Sequence, residues 1–227
     1  MKFHTFGTSI VACATVRGDT ASLWSDALDQ CPPWCCRHAP PDPSAPGDGL
    51  IHFGVDRRVT LSDGADADSD VHVTVRAWAT GNSRDRQVCT RLDAGDARVL
   101  DLTVRQTRHL ARMLIEFADR RSTFEGAAGG SCPYWCVDHT RSTPARSRAA
   151  IVVHYSEIRT MSAHSPDRAR SREISIQLVA VDGGGPTPQL RLYLAVSMEL
   201  IDLTASEACR LAAALFEAAE DCDRSGA

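Results

Sequence analysis

Apolar and polar residues alternate along several segments of the chain, as they do in half-buried β-strands. The clearest examples are VHVTVRAWA at 71–79 and EISIQLVAV at 173–181. Shorter segments precede them, LIHFGV and RRVTL in the first half and AIVVHYSEI in the second. A last strand, QLRLYLAVSMEL at 189–200, is clear in the second half, whereas Asp93 and Asp96 interrupt its equivalent in the first. We therefore predict a 3–4-stranded antiparallel sheet in each half.

A helical pattern follows the strands in both halves. Thr103 with Gln106, and Thr204 with Glu207, fit the capping box that begins a helix. Apolar residues then recur with helical spacing, at Leu110, Met113, Leu114 and Phe117, and again at Ala208, Leu211, Ala212, Leu215 and Ala219. Each helix is predicted to pack on one face of its sheet, which gives an α+β fold. Cys209 lies beside the second stripe, and we expect it to be a small buried residue.

The two halves are copies of one unit. CPPWCCRH at 31–38 recurs as CPYWCVDH at 132–139, and LDLT at 100–103 recurs as IDLT at 201–204, both at an offset of 101 residues. Agreement at both ends of the unit indicates a tandem duplication. We predict an N-terminal extension at 1–30, a first repeat domain at 31–123, a glycine-rich linker at 124–131 and a second repeat domain at 132–227.

Composition excludes few function classes. Hydrophobic residues make up 43% and charged residues 24% of the chain, and the net charge is −4, so no general attraction to nucleic acid or anionic membranes is expected. No apolar run approaches the ~18 residues that span a membrane. Nine cysteines, an odd number, fit metal-bound thiolates in a reducing cytoplasm better than a secreted disulfide scaffold.

The repeated motif, which we call the knuckle, offers two thiols and one imidazole, and a predicted strand supplies a second histidine. The candidate ligands are Cys31, Cys35, His38 and His52 in the first half and Cys132, Cys136, His139 and His154 in the second. Zn²⁺ prefers tetrahedral sulfur and nitrogen ligands, and Cys2His2 is a closed structural set. We therefore predict two structural zinc ions per chain, with no coordination position open for water or substrate.

Other interpretations of the same residues remain open. The fourth ligand could instead be Cys36 or His72 in the first half, and Asp138 or His164 in the second. The knuckle cysteines could also form two disulfides, or could all be core residues without a metal. Cys36 has no counterpart in the second half, where valine takes its place, so we expect it to be a bystander.

At these motifs the chain resembles a family of short actinobacterial proteins known only as a domain of unknown function. Its members open with P-x-W-C-x-x-H, continue with an H-Y-S-E-like strand and end in an L-T-x-x-E-A helix. CPYWCVDH, HYSE at 154–157 and DLTASEACRLAAALFEAAE match best, whereas the first half has IHFG in place of HYSE. The resemblance covers about residues 31–121 and 132–223, and it implies the cysteines and histidines as metal ligands without implying an activity.

The loops differ in charge between the two halves. LSDGADADSD at 61–70 is acidic in the first half, while the loops of the second half are basic and contain Arg141, Arg146, Arg148, Arg168 and Arg170, with Arg172 just beyond. Polar loops often drift in charge. Alternatively, the opposite charges face each other between halves or between two chains, which would set orientation and association rate.

Three functions compete. We predict a non-enzymatic interaction or regulatory module, whose partner is a protein or a second copy of the chain, because the sites are closed and no catalytic motif is found. A nucleic-acid-binding regulator would use the arginines of the second half against phosphate. A zinc-dependent enzyme would need a three-coordinate site with a nearby base, and no carboxylate is placed specifically enough to name. We expect no membrane association.

Overall fold

The computed structural model describes residues 31–39, 51–61, 71–80, 87–94, 99–120, 132–143, 151–164, 171–182, 189–196 and 199–224. The predicted N-terminal extension and the linker lie outside these residues, as do the acidic loop at 62–70 and most of the basic loops. The predicted domain boundaries therefore stay predictions. None of the helices in the described part of the chain is long and apolar enough to cross a membrane.

Each half has the same order of elements, six strands followed by one helix in the ranges described. The first half contains β1 Arg37–Ala39, β2 Ile51–Phe53, β3 Arg57–Leu61, β4 Val71–Thr80, β5 Gln87–Asp93, β6 Val99–Leu102 and α1 Val104–Asp119. The second contains β7 Cys136–Ser142, β8 Ile151–Ser156, β9 Arg159–His164, β10 Ser171–Asp182, β11 Gln189–Val196, β12 Glu199–Leu203 and α2 Ala205–Asp223.

All strand pairs are antiparallel, and one long strand organises each sheet. Strand β4 pairs with β2, β3 and β5, and β10 pairs in the same way with β8, β9 and β11. The knuckle continues into β1 or β7 at one end of the sheet, and β6 or β12 precedes the helix at the other. The α+β class and the two similar halves are thus confirmed. The sheets contain more strands than predicted, because the knuckle and the LDLT and IDLT segments also form strands.

Both helices begin at the predicted capping boxes. The side chain of Thr103 accepts a hydrogen bond from the backbone N–H of Gln106, and that of Thr204 accepts one from Glu207. The Gln106 and Glu207 side chains in turn accept from the threonine backbone N–H groups, at 2.9 and 2.7 Å. Each box satisfies backbone donors that a helix start leaves without partners, and a cap of this kind contributes about 1 kcal/mol.

The two halves share one apolar core. The predicted stripe residues of both helices are buried, and the largest buried cluster contains side chains from α1, α2 and both sheets. The helices pack against each other, and α2 also lies against β3, β4 and β5 of the first half. Helix α2, which is predicted to cover the second sheet, therefore also covers the first. The apolar side chains of each half are buried partly by the other half.

Ion pairs also join each helix to the sheet of the other half. Arg57 on β3 bonds to Glu217 and Asp221 on α2, at 2.9 and 2.5 Å. At the equivalent position of the second half, Arg159 on β9 makes a two-pronged contact with Glu116 on α1, at 2.6 and 2.9 Å. Each helix is thus held by an arginine from the other half. In the described ranges, the sheets themselves meet at β6 and β9, where Asp101 pairs with His164.

The expectation that Cys209 is buried is wrong. Cys209 is exposed on α2, although its neighbour Ala208 is completely buried. Cys209 falls outside the buried face of the helix, which includes Glu207, Ala208, Leu211 and Ala212. Cys222, near the end of the same helix, is the buried cysteine.

Candidate metal centres

Each knuckle is built on the same tight turn. The backbone N–H of Cys35 donates to the carbonyl of Pro32, and that of Cys136 donates to Pro133, both at 2.9 Å. The turn brings the second cysteine of the motif back towards the first. Trp34 and Trp135 are 7% and 4% exposed, so the indole in each turn anchors the knuckle in the core.

Strand pairing brings the second histidine to each knuckle. His38 on β1 lies opposite His52 on β2, and His139 on β7 lies opposite His154 on β8. Directly opposed residues of antiparallel strands project to the same face, with Cβ atoms about 5 Å apart. The ring centroids are 5.2 Å apart in the first pair and 5.9 Å in the second. The predicted placement of a histidine on a strand beside each knuckle is therefore observed.

The first centre brings four donor atoms together. The donors of Cys31, Cys35, His38 and His52 all lie within 4.8 Å of one another. Nε2 of His38 is 2.9 Å from Sγ of Cys31 and 3.3 Å from Sγ of Cys35. His52 is only 2% exposed, and the other three side chains are partly buried. This is the donor set and the degree of enclosure of a closed Cys2His2 site.

The second centre is more open. Donors of Cys132, Cys136 and His139 lie within 4.8 Å of one another, and His154 is not part of this group. Sγ of Cys132 is 3.7 Å from Nδ1 of His139, and both residues are exposed. His154 is 6% exposed, and its Nδ1 is buried without a hydrogen bond in the described part of the chain. Strand β7 contains an irregularity between Cys136 and Asp138.

Burial sets the protonation of several of these groups. It raises the pKa of Cys35 to about 11 and that of Cys136 above its ordinary value. Burial also lowers the pKa of His38 and of His154, and the latter is lowered further by His139. The lowered pKa values favour the neutral, metal-ligating form of these two imidazoles, and a bound cation would offset the cost of a buried thiolate.

The alternative fourth ligands have other contacts. Sγ of Cys36 donates to the carbonyl of Phe53 at 3.4 Å, and Nδ1 of His72 lies 3.2 Å from the hydroxyl of Thr60. A carboxylate oxygen of Asp138 accepts from the backbone N–H of His139 at 2.8 Å. None of them belongs to either group of donors found among the described residues. The side chain of His164 lies outside the described part of the structure.

Of the six arginines predicted to contact a partner, the structure describes two. Arg141 is exposed on β7, whereas Arg172 on β10 is half-buried and donates to the carbonyl of Val99 in the first half at 3.4 Å. Arg172 therefore contributes to the junction between the sheets. The other four lie outside the described residues: Arg146, Arg148, Arg168 and Arg170.

One contact of the first centre has no signal in the sequence. Cys222 of α2 belongs to the same apolar cluster as Trp34, and Cys35 packs against that cluster. The Sγ of Cys222 also donates to the carbonyl of Cys89 on β5 at 3.4 Å. The helix of the second half thus covers the knuckle of the first, a long-range contact that local periodicity does not report.

Comparison with known proteins agrees with the duplication seen in the structure. The sequence model of one protein family, a domain of unknown function (DUF6907), matches the chain twice, at residues 13–129 and 121–227. No significant match is found among curated proteins or among solved structures. The two matches overlap slightly and together span both knuckles, both sheets and both helices. The chain therefore belongs to the DUF6907 family and carries two tandem copies of its domain.

Proposed function

We propose that the chain is a non-enzymatic interaction module whose two knuckles are held by zinc. The observation that supports this most directly is the recurrence of a Cys/His cluster at equivalent places in both repeats. Thiolate and imidazole donors favour Zn²⁺ over hard cations such as Mg²⁺ or Ca²⁺. The first ion would be held by Cys31, Cys35, His38 and His52, and the second by the knuckle ligands Cys132, Cys136 and His139.

The donor spacing fits a zinc ion. A tetrahedral site with Zn–S near 2.3 Å and Zn–N near 2.0–2.1 Å places sulfur and nitrogen about 3.6 Å apart. The sulfur–nitrogen distances of 3.3 Å for Cys35 and His38, and of 3.7 Å for Cys132 and His139, lie close to that value, whereas the 2.9 Å between Cys31 and His38 is shorter. Cys31 and His38 would therefore move apart on admitting the ion.

The structural role follows from where the knuckles lie. Each knuckle leads directly into a strand at the end of a sheet, and the described length of β1 is only three residues. A short end strand has little burial of its own, so a metal that ties it to β2 would supply much of its stability. A closed first site leaves no position for substrate, which supports an interaction role over catalysis.

The partner we propose is a protein or a second copy of the chain, in a reducing compartment such as the cytoplasm that preserves thiolates. Strand β7 supports this, because among the described strands it pairs with β8 alone, and it is exposed from Val137 to Ser142. Exposed edge strands are sites at which other polypeptides add a strand. The alternative function, binding of nucleic acid, would depend mainly on arginines that lie outside the described residues.

Chelation tests the proposed role. We expect a strong zinc chelator to remove both ions and to increase hydrogen exchange in β1, β2, β7 and β8, while the buried strands β4 and β10 open less. Cys31→Ser should remove the protection of β1 and β2 alone. Cys209→Ser removes an exposed thiol away from both centres and serves as the control. Unchanged exchange after complete zinc removal would contradict a structural role.

A further inference from the structure

The two candidate centres differ in how far their donor residues are exposed to solvent. In the first, the strand histidine is buried and completes a group of four donors. In the second, three donors form the group, and two of them, Cys132 and His139, are exposed. Tyr134 and Val137 on the same knuckle are 71% and 69% exposed. An ion held by these three donors would therefore lie at the protein surface.

The knuckle histidines also differ between the two centres. His38 presents Nε2 to both cysteines of its knuckle, while His139 presents Nδ1, the ring nitrogen nearer the backbone, to Cys132. The rings of His139 and His154 are 5.9 Å apart and tilted by 44°, against 5.2 Å and 74° in the first pair.

The two exposed donors, Cys132 and His139, are already spaced for ligation. The distance of 3.7 Å between Sγ of Cys132 and Nδ1 of His139 matches the edge of about 3.6 Å expected for zinc. They therefore need no movement towards the buried His154 to hold an ion. Three protein ligands around tetrahedral Zn²⁺ leave one position for a donor from outside.

We propose that the second centre is an open metal site whose fourth position accepts an imidazole or thiolate donor from another molecule. This inference rests on the proposed metal binding at both centres. The first ion would act as a permanent structural element, and the second would join this chain to a ligand through a metal bond. The apolar rim of Tyr134 and Val137 would contact the body of that ligand.

Cobalt substitution of the full chain tests the open site. Co²⁺ takes similar ligands to Zn²⁺, and its visible spectrum reports on coordination. We expect free imidazole to shift the spectrum of wild-type protein and of Cys31→Ser, which retains only the second centre. Cys132→Ser retains only the first centre and should show no shift. The spectrum of intact wild-type protein answers the question even if a variant folds poorly.

The strand histidines provide a matched comparison. His52→Ala should weaken metal binding at the first centre by more than about 100-fold, above the 10–100-fold that outer partners of a metal contribute. His154→Ala should leave the second centre within about 10-fold of wild type. A peptide with one histidine, compared with free imidazole at equal concentration, distinguishes a polypeptide donor from a small molecule by which of them binds more tightly.

Two results would overturn the open site while leaving the proposed function intact. One is a wild-type protein with two cobalt ions whose spectrum does not respond to imidazole. The other is loss of the second ion in His154→Ala to the same extent as loss of the first in His52→Ala, which would make His154 the fourth ligand. A wild-type protein that binds no metal would instead remove the proposed function itself.

Discussion

Replacement of Phe117 by alanine tests whether the two halves depend on each other. Phe117 belongs to α1 of the first half and is 1% exposed. It lines a small cavity of about 10 Å³ together with Leu178, Leu190 and Leu192 of the second half. The guanidinium groups of Arg120 and Arg159 lie 5.2 and 5.5 Å from the centre of its ring. The substitution therefore removes packing from both halves at once.

The expected cost is about 3–5 kcal/mol, the range for truncation of a buried phenylalanine. That is a large fraction of the roughly 5–15 kcal/mol that stabilises a typical domain. Urea unfolding followed by circular dichroism should show one transition at a lower midpoint. Hydrogen exchange should show that β10 and β11 lose protection together with the first sheet. Ile115→Ala, on the same helix but 37% exposed, is the control and should cost about 1 kcal/mol or less.

The interdependence would be refuted by a particular pattern. If Phe117→Ala opened β4 and β5 but left the protection of β10 and β11 unchanged, the halves would be separate domains with independent stability. Two unfolding transitions, of which only one shifts, would lead to the same conclusion.

Three further predictions concern ion pairs, caps and loops. Arg159 lowers the pKa of Glu116, so this pair contributes stability that is fully present above the ordinary carboxyl pKa. Glu116→Gln should cost about 0.5 kcal/mol or less at pH 7, and in urea titrations this difference should disappear as the pH falls from the ordinary carboxyl pKa through the lowered pKa of Glu116. A loss of equal size at every pH would contradict this origin. Thr204→Ala should lower the free energy of unfolding by about 1 kcal/mol, against little change for the exposed Thr160→Ala, and equal effects would contradict the cap. If the acidic and basic loops join two chains, light scattering should show a mass that falls as salt rises, and a constant monomer would exclude that association.

Much of the local structure could be predicted from the sequence because it depends on near neighbours. The capping boxes at Thr103 and Thr204 identify both helix starts to the residue. Alternation identifies β4 and β10, the central strands of the two sheets. The offset of 101 residues identifies the duplication, which the two family matches confirm.

The contacts of each helix with the other half could not be predicted in this way. Periodicity shows that Phe117 and Leu215 are buried, but it does not show which sheet they lie against. The contacts between Arg57 and α2, and between Arg159 and α1, join residues far apart in the chain. Cys209 lies beside the predicted stripe and is nevertheless exposed, which the local spacing does not predict.

The candidate centres, too, could be predicted only in part from the sequence. Motif spacing predicts which cysteines and histidines converge, and strand pairing does place His52 and His154 beside the knuckles. The centres differ in the ring nitrogen that the knuckle histidine presents and in whether the strand histidine joins the group of donors. Two nearly identical motifs in the sequence give no indication of either feature.

Mass spectrometry of the intact chain under native conditions, purified without chelator, tests metal binding most directly. We predict a mass greater than that of the polypeptide by two zinc ions. Cys31→Ser and Cys132→Ser should each carry one ion, and Cys209→Ser should carry both. A wild-type chain without zinc, or knuckle cysteines joined as disulfides, would contradict the assignment of the two knuckles as metal centres.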